Sequence, residues 1–493
     1  MTSATTLIPA DLEPSRVTRR TYATRRRPSR IDAVFVLSVM VMLLTLIPGR
    51  LIVPGMTDIG RPALIVGLML FVWWFLVRVS RHLVLTGQQP MRWAIFAFMV
   101  AAVISFAVGF SRPLTAIESN GADRTILYYL MISGIVLMAA DGVANWLRLY
   151  TLIKVIVWCC TIMAFIGVLQ AVLKTDVTRY LNVPGLVAKS DALDFQARGE
   201  AFRVASTTVH YIELSATLAL AQPFAIHLAL YAQTKWGKRF AVLAAAILAA
   251  GNAVTQSRTG IVALIIMFAL LVPMWTWRSR YNIFVMTAGM LMSFVVLVPG
   301  ASRTWLRLFD NPDDNSSIQA RTSRYSLAWR YFSETPWLGR GTGTWIAPQY
   351  QIMDNQWIET ALSGGALAVL TLLGLFITGI VLATKALRRS SVPADKHLCA
   401  CLIATQVMAI AVCGTFDSLA FSTFTAMMAL SVGLCGTVWR LTHPARTVRT
   451  STTRWFLGRD GWAPLPELNR RQGVPAPQVS PGPLEATAAR VLT

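Results

Sequence analysis

Apolar runs and short polar connections alternate along almost the whole chain. Twelve of the runs approach the length of about 20 residues that an α-helix needs to cross a bilayer. They lie at 31–48, 63–77, 93–110, 125–140, 152–173, 212–233, 240–255, 260–277, 282–298, 358–383, 398–414 and 420–438. The pattern predicts an all-α polytopic membrane protein with about twelve transmembrane helices in one membrane domain over 31–439.

The composition agrees with this pattern. Hydrophobic residues make up 55% of the 493 residues and charged residues only 14%, about half of the usual share in soluble proteins. The net charge is +22, but the basic residues lie between apolar runs rather than on a soluble domain, which argues against a nucleic-acid partner. The six cysteines lie in apolar stretches without metal-ligand spacing, so we expect no disulfide, no metal and no cofactor.

Basic residues set the expected orientation. Residues 1–30 hold seven Arg and two acids, and residues 440–493 hold eight Arg and three acids. Both segments are predicted to be disordered cytoplasmic tails that contact anionic lipid. With both ends inside, most remaining cations fall on inner loops and most acids on outer loops. We therefore expect a protein of the plasma (inner) membrane with both termini in the cytoplasm.

Two of the predicted outer loops are long, at about 174–211 and 299–357. In the second, apolar or aromatic residues recur at helical spacing. They are Ile318, Thr322, Tyr325, Trp329 and Phe332. This spacing predicts a partly helical loop, whose helix ends before Pro336 and lies at the outer membrane–water interface.

Basic residues on the predicted outer side oppose the orientation rule and need a reason. The notable ones are Arg203, Arg258, Arg321 and Arg324. Arg258 lies in a very short turn between two apolar helices, where a guanidinium is costly unless it is paired or functional. One interpretation is that Arg258 reaches lipid headgroups or pairs with a loop acid. The other is an anion site, because guanidinium groups bind phosphate oxygens bidentately and stay charged.

Three further groups are candidates for chemistry. His210 is the one His predicted on the outer side, and Glu213 follows it at the start of a helix. This pair is either functional or an interfacial His with a hydrogen-bonded Glu. Asp354 ends the large loop, where it is either a helix N-cap or a general base for a hydroxyl. The Gly-rich run 339–343 matches no nucleotide motif and is interpreted as a tight turn near the site or simply as a loop.

These residues resemble the O-antigen ligase and polymerase family of polytopic membrane glycosyltransferases. The resemblance lies in Ser257-Arg258-Thr259-Gly260, in a Pro-x-x-Gly-x-Gly pattern at 336–341, and in Asp354-Asn355 followed by Gly364-Gly365. Arg203 and His210-Tyr211 resemble a further element of the family, an Arg and then a His-containing pair before a helix. The order and spacing of these motifs cover roughly 200–385.

The resemblance implies a metal-independent transfer of a glycan from a polyprenyl-diphosphate donor to a hydroxyl of an envelope glycan or glycolipid. It implies that Arg203 and Arg258, with Arg321 as a weaker candidate, hold the diphosphate. Glu213, Arg324 and Asn355 would support them. Ligases of the family carry His at the position of Asp354, so the base is either Asp354 or His210.

Other functions remain open at this point. A polymerase of lipid-linked glycan repeats shares the same motifs. A flippase of lipid-linked glycans or another transporter would place polar groups or broken helices near the bilayer midplane, often in repeated halves. A non-catalytic scaffold is a further alternative. A cavity lined by Arg203, Arg258 and Asp354 on the outer face would favour the enzyme.

Overall fold

The computed structural model describes residues 32–56, 58–79, 89–189, 196–198, 201–297, 316–347 and 349–443. These residues form 13 α-helices and two small antiparallel ladders. The helices are α1 Ala33–Leu46, α2 Pro62–Val79, α3 Pro90–Gly109, α4 Ala116–Gly142, α5 Trp146–Leu173, α6 Tyr211–Tyr231, α7 Lys235–Val254, α8 Arg258–Leu271, α9 Trp277–Leu297, α10 Ser316–Glu334, α11 Gln356–Arg389, α12 Pro393–Cys413 and α13 Ser422–Thr442. The strands are β1 Leu51–Ile52, β2 Val187–Ala188, β3 Gln196–Arg198 and β4 Ala201–Arg203.

Each predicted apolar run coincides with one helix, and the predicted all-α polytopic membrane fold is confirmed. Eight of the helices in the described residues are long and apolar enough to cross a membrane, and three shorter apolar helices accompany them. The crossing number of twelve stays a prediction. The largest boundary difference is in α4, which begins at Ala116 because Thr115 and Glu118 form a reciprocal capping box ahead of the apolar run. The predicted tails, 1–30 and most of 440–493, lie outside the described residues.

The helices pack around α13, whose whole apolar window is buried inside the protein. It contacts α4, α11, α12 and α6. All six cysteines are buried in α5, α12 and α13 as free thiols, which confirms their interpretation as small core residues.

The connections α1–α2, α3–α4, α5–α6, α7–α8, α10–α11 and α12–α13 meet on one side, here called the loop face. β1 from the first of these pairs with β2 from the third, and Gly49 N donates to Thr207 O at 2.7 Å. Gln349 Nε2 donates to Thr115 Oγ1 at 2.7 Å. The loop face is thus one connected layer, assembled from segments that lie far apart in the sequence.

The helix predicted in the large loop is present as α10. It packs on the protein through Ala328, which is buried with Trp345, Met353 and Leu362, while Trp329 of the predicted stripe is 69% exposed. The helix therefore packs on the loop face through one side and presents an aromatic ring on another. Its predicted place at the membrane interface stays a prediction.

Helix α11 is broken at Gly365, which has φ 69° and ψ −171°. The break leaves two backbone carbonyls of the preceding turn without helical hydrogen-bond donors, and backbone amides of the Gly-rich run donate to them instead. Arg340 N donates to Leu362 O at 3.0 Å and Gly341 N donates to Ser363 O at 2.9 Å. A broken helix was expected of a transporter, but this break lies close to the loop-face end of α11 and is filled by protein backbone.

Candidate functional site

A cavity of about 640 Å³ opens in the loop face. It lies among the α1–α2, α5–α6 and α12–α13 connections and the first turns of α4 and α11. Its charged lining residues are Arg50, Arg61, Arg124, Arg179, Lys189, Arg203, Asp176 and Glu359. Six cations therefore face two carboxylates in the described part of the lining. A concave site with this balance is suited to an anion.

Arg203 ends the β3–β4 hairpin at the cavity wall. Its guanidinium carbon lies 4.4 Å from the ring centre of Tyr211, and Nη1 donates to the Tyr211 hydroxyl. Tyr211 begins α6 and also lines the cavity. The stacked ring restricts the flexible arginine side chain and holds its charge at the helix start.

His210 is the N-cap of α6, and its Nδ1 accepts from Ile212 N at 3.3 Å. Because that lone pair is occupied, the neutral ring carries its proton on Nε2 and is a hydrogen-bond donor. Burial and the positive charge of Arg203 lower the pKa of His210 to about 4, although the carboxylate of Asp354 acts in the opposite direction. His210 is therefore a neutral donor at physiological pH.

Asp354 lies beside the cavity and is not among its lining residues. Its Oδ2 accepts from Arg324 Nη1 at 3.3 Å. The backbone amides of Asp354 and Asn355 donate to the Asp417 carboxylate at 3.2 and 2.7 Å. Burial raises the pKa of Asp417 to about 6, and the negative charge of Asp354 acts in the same direction.

The interpretation of Asp354 as a helix N-cap is wrong by one residue. The N-cap of α11 is Asn355, whose Oδ1 accepts from Trp357 N at 3.0 Å. Asp354 instead adopts a left-handed conformation with φ 52°, which is uncommon outside glycine and indicates local strain. Its side chain is thereby released from capping.

Glu213 and Arg61 anchor the floor beside the cavity. The buried Glu213 carboxylate accepts from Val209 N at 3.0 Å and from Thr423 N at 2.7 Å. Its partners are backbone amides rather than the His210 ring that was considered from the sequence. Arg61 is also buried, lines the cavity and donates to Thr423 Oγ1 at 2.9 Å. Both residues tie the loop face to the start of α13.

Two of the predicted diphosphate ligands are not placed in this cavity. Arg258 is the first residue of α8 and is partly buried, but it is not among the lining residues. Arg321 belongs to α10, and its side chain lies outside the described residues. The sequence predicted one cavity lined by Arg203, Arg258 and Asp354. Of these three residues, Arg203 lines the cavity, and His210 lines it as well.

Several lining residues were missed from the sequence, namely Arg50, Arg61, Arg124, Arg179, Lys189 and Glu359. The basic ones lie in or beside predicted outer connections, so the orientation rule that singled out Arg203 could have found them. Glu359 is hidden in an apolar helix start. An acidic residue within a predicted membrane span often has a function, and this was the signal that could have identified Glu359.

The Gly-rich run forms the predicted tight turn beside the site. Gly343 lines the cavity with φ 76°, a conformation that side chains rarely adopt. A Cβ at Gly343 would lie 2.4 Å from Thr125 Oγ1. The turn therefore brings backbone against α4 at a distance that only glycine permits.

A second cluster of reactive groups lies at the opposite ends of the helices. Within the described residues, His227, His397 and Cys401 bring their ligand atoms within 4.8 Å of one another. Sequence spacing missed this set because it joins an i, i+4 pair on α12 to a residue of α6. Trp275 Nε1 donates to His397 Nε2 at 2.8 Å, which places the His397 proton on Nδ1, 3.1 Å from His227 Nδ1. The His397 Nδ1 atom, which would have to bind a metal in this cluster, thus carries a proton.

Residues 243–373 match the family model described as O-antigen ligase. The predicted resemblance to the O-antigen ligase family is confirmed. The matched segment begins in α7 and ends in α11, and it includes Arg258, the Gly-rich run and Asp354. It does not include Arg203 or His210. No curated protein gives a significant match to the chain.

The O-antigen ligase match supports an enzyme of the ligase and polymerase type, which are membrane glycosyltransferases with a lipid-linked glycan donor and a glycan acceptor. Together with the apolar helices, it identifies a multi-pass membrane protein. The cavity joins elements on both sides of the matched segment, because its lining runs from Pro48 to Ser422.

Proposed function

We propose that the protein transfers a glycan from a polyprenyl-diphosphate donor to an acceptor hydroxyl, and that the loop face lies on the outer side of the plasma (inner) membrane. Both termini would then lie in the cytoplasm, with the basic tails near anionic lipid. The observation that carries the proposal is the cavity whose described lining brings six cations to face two carboxylates. A diphosphate is the anion that such a membrane-bound donor presents.

Arg203 and His210 are the proposed first contacts of the diphosphate. Arg203 brings a fixed positive charge, and His210 brings an Nε2–H donor that stays neutral. Both would stabilise the negative charge that grows on the diphosphate as the glycosidic bond breaks. Cations of the protein thus stabilise the diphosphate in place of a metal ion, so the proposed reaction is metal-independent.

The role of Arg258 and Arg321 in holding the diphosphate remains part of the proposal, at the edge of the site. Arg258 begins α8, next to Thr259, whose hydroxyl contacts Thr415 in the α12–α13 connection at 3.0 Å. Asp417 in that connection holds the backbone of Asp354 and Asn355. Arg258 is therefore linked to the cavity wall through a short chain of contacts.

One observation favours the polymerase as a second candidate. The six cations exceed what one diphosphate requires. In a polymerase the acceptor is also a lipid-linked diphosphate, so two anionic groups would approach the loop face. Mass spectrometry of the products separates the two candidates, since a polymerase yields lipid-linked chains of increasing length and a ligase yields a glycan on a new carrier.

The test uses a deletion strain complemented with the wild-type protein, with Arg203→Ala, or with Arg330→Ala. Arg330 is an exposed arginine of α10 that does not line the cavity, so it is the matched control. We expect Arg203→Ala to slow transfer by about 100- to 1000-fold, the usual effect of removing one charge-stabilising donor. Mass spectrometry of lipid extracts should show accumulated polyprenyl-diphosphate glycan. Wild-type transfer by Arg203→Ala at equal membrane abundance would overturn the proposal.

A further inference from the structure

Among the described residues of the cavity, Glu359 is the acidic side chain without an ion pair. The other lining carboxylate, Asp176, accepts from Gln170 Nε2 at 2.8 Å and from Thr178 N at 2.9 Å, and it lies 3.9 Å from Arg179. Glu359 accepts from the side-chain amide of Gln356. Among the residues that the structure describes, it forms no ion pair. The second oxygen of this carboxylate thus has no cation partner within the described residues.

Gln356 fixes the orientation of the Glu359 carboxylate. The Gln356 side chain is buried, its Oε1 accepts from Leu419 N at 2.7 Å, and its Nε2 also donates to Thr360 Oγ1 at 3.1 Å. The amide cannot rotate without losing these bonds. One carboxylate oxygen of Glu359 is therefore held in place, and the side chain lies at the cavity surface.

The two bases expected from the sequence are less suited to accept a proton in this cavity. The Nδ1 lone pair of His210 already accepts the amide of Ile212, so its free edge is a donor. Asp354 is paired with Arg324 and does not line the cavity. Glu359 combines two properties that a general base requires, namely contact with the cavity and a fixed orientation, and no described cation is paired with it.

We propose that Glu359 is the general base that takes the proton from the acceptor hydroxyl. This inference rests on the proposed glycosyl transfer. The acceptor O–H bond breaks and its proton passes to the Glu359 carboxylate, while the oxygen forms a bond to the anomeric carbon. The bond from that carbon to the diphosphate oxygen breaks, and the polyprenyl diphosphate leaves with the electron pair. Glu359 then returns the proton to water.

A purely structural role for Glu359 is the competing explanation. An acidic residue in the first turn of a helix interacts favourably with the helix dipole. Such a role would alter stability and would not alter how the transfer rate depends on pH. The experiment must therefore read stability, ligand binding and the pH profile separately.

The experiment compares full-length wild-type protein with Glu359→Gln, Glu359→Asp and Asp354→Asn. The donor is the lipid-linked glycan extracted from the deletion strain, with membranes of that strain as the source of acceptor. The binding probe is undecaprenyl diphosphate, which lacks a glycan. We expect Glu359→Gln to reduce transfer by about 100- to 10,000-fold, with binding of the probe retained, because Gln keeps the size and polarity of the side chain but cannot accept the proton. Glu359→Asp should restore part of the rate, and Asp354→Asn should stay within about tenfold of wild type.

The pH profile provides the second readout. Wild-type transfer should fall on acidification as Glu359 gains its proton, and the residual rate of Glu359→Gln should lack this acid limb. Full activity of Glu359→Gln, or a parallel loss of probe binding and transfer, would overturn the inference. If wild-type protein consumes none of the lipid-linked glycan, the proposed function itself fails, which is a distinct outcome.

Discussion

Two ion pairs opposite the loop face and the cavity of the loop face differ in how cations and carboxylates are balanced. Opposite the loop face, Arg92 and Asp141 form a buried pair at 2.8 Å, and Trp74 Nε1 donates to the same carboxylate at 2.8 Å. Arg148 pairs there with Asp32. In the described lining of the loop-face cavity, six cations face two carboxylates. The arginines of the first kind are each paired with one buried acid, whereas the described lining of the cavity holds more cations than carboxylates.

This difference separates structural from functional charge. A buried pair satisfies both partners and leaves nothing for a ligand, so its removal should affect folding first. A surplus of like charges around a cavity is unfavourable for the empty protein and favourable for an anionic ligand. Stability and activity should therefore respond to different arginines.

The largest effect is expected at the matched end. Arg92→Ala leaves the buried Asp141 without its cation, and we expect a loss of about 3–5 kcal/mol of stability. Thermal unfolding in detergent measures this loss. Arg203→Ala is the comparison, and it should lose at most about 2 kcal/mol, the contribution of a desolvated cation–π contact. Equal destabilisation by the two variants would remove the distinction between the ends.

An intermediate effect is expected from the pH dependence at His210. The lowered pKa means that the folded protein keeps His210 neutral while the unfolded chain gains a proton below about pH 6.5. This contribution to stability is therefore complete above pH 6.5 and is lost as the pH falls towards 4. His210→Gln cannot titrate, so the decrease in unfolding temperature between pH 7.5 and pH 5 should be smaller than in the wild type. An unchanged decrease would contradict the buried, neutral His210.

The smallest effect is expected at the exposed rim of the cavity. Arg124 lines the cavity but is exposed to solvent, where ionic interactions contribute up to about 1 kcal/mol. Arg124→Ala should weaken binding of undecaprenyl diphosphate by about two- to fivefold at low salt. The difference should vanish near 1 M salt, where screening acts within about 3 Å. Arg330→Ala is the control and should not change binding of the probe. If Arg330→Ala weakens binding as much as Arg124→Ala does, the rim of the cavity makes no specific contribution to binding.

The sequence predicted the helices well because length and apolarity decide which segments enter a membrane. It also predicted Arg203 and His210, which the structure places at one cavity. These two residues lie seven positions apart, on either side of a short turn, so local proximity is enough to bring them together. Arg258 shows the limit, since a cation at the loop-face end of its helix still needs the packing of α8 to reach the cavity.

The rest of the site depends on contacts between distant segments. Arg50 and Lys189 reach the cavity through the pairing of β1 with β2, two-residue strands that carry almost no pattern of their own. Asp354 and Asn355 are both favoured caps, and the hydrogen bonds to Asp417 decide which of them begins the helix. Glu359 belongs to an apolar helix, and only the cavity reveals its surroundings.

The anchoring of Arg61 has a consequence for biosynthesis. Its guanidinium lies between α1 and α13 and depends on Thr423, which enters the membrane with the last helix. Until ribosomes have delivered that helix, the Arg61 guanidinium of a nascent chain lacks the Thr423 hydroxyl that it contacts in the finished protein. The cavity floor is therefore completed late in assembly. In a chain arrested before α13, the Arg61 side chain would lack its Thr423 contact. Quality-control proteases of the membrane could recognise this defect, which the finished protein does not have.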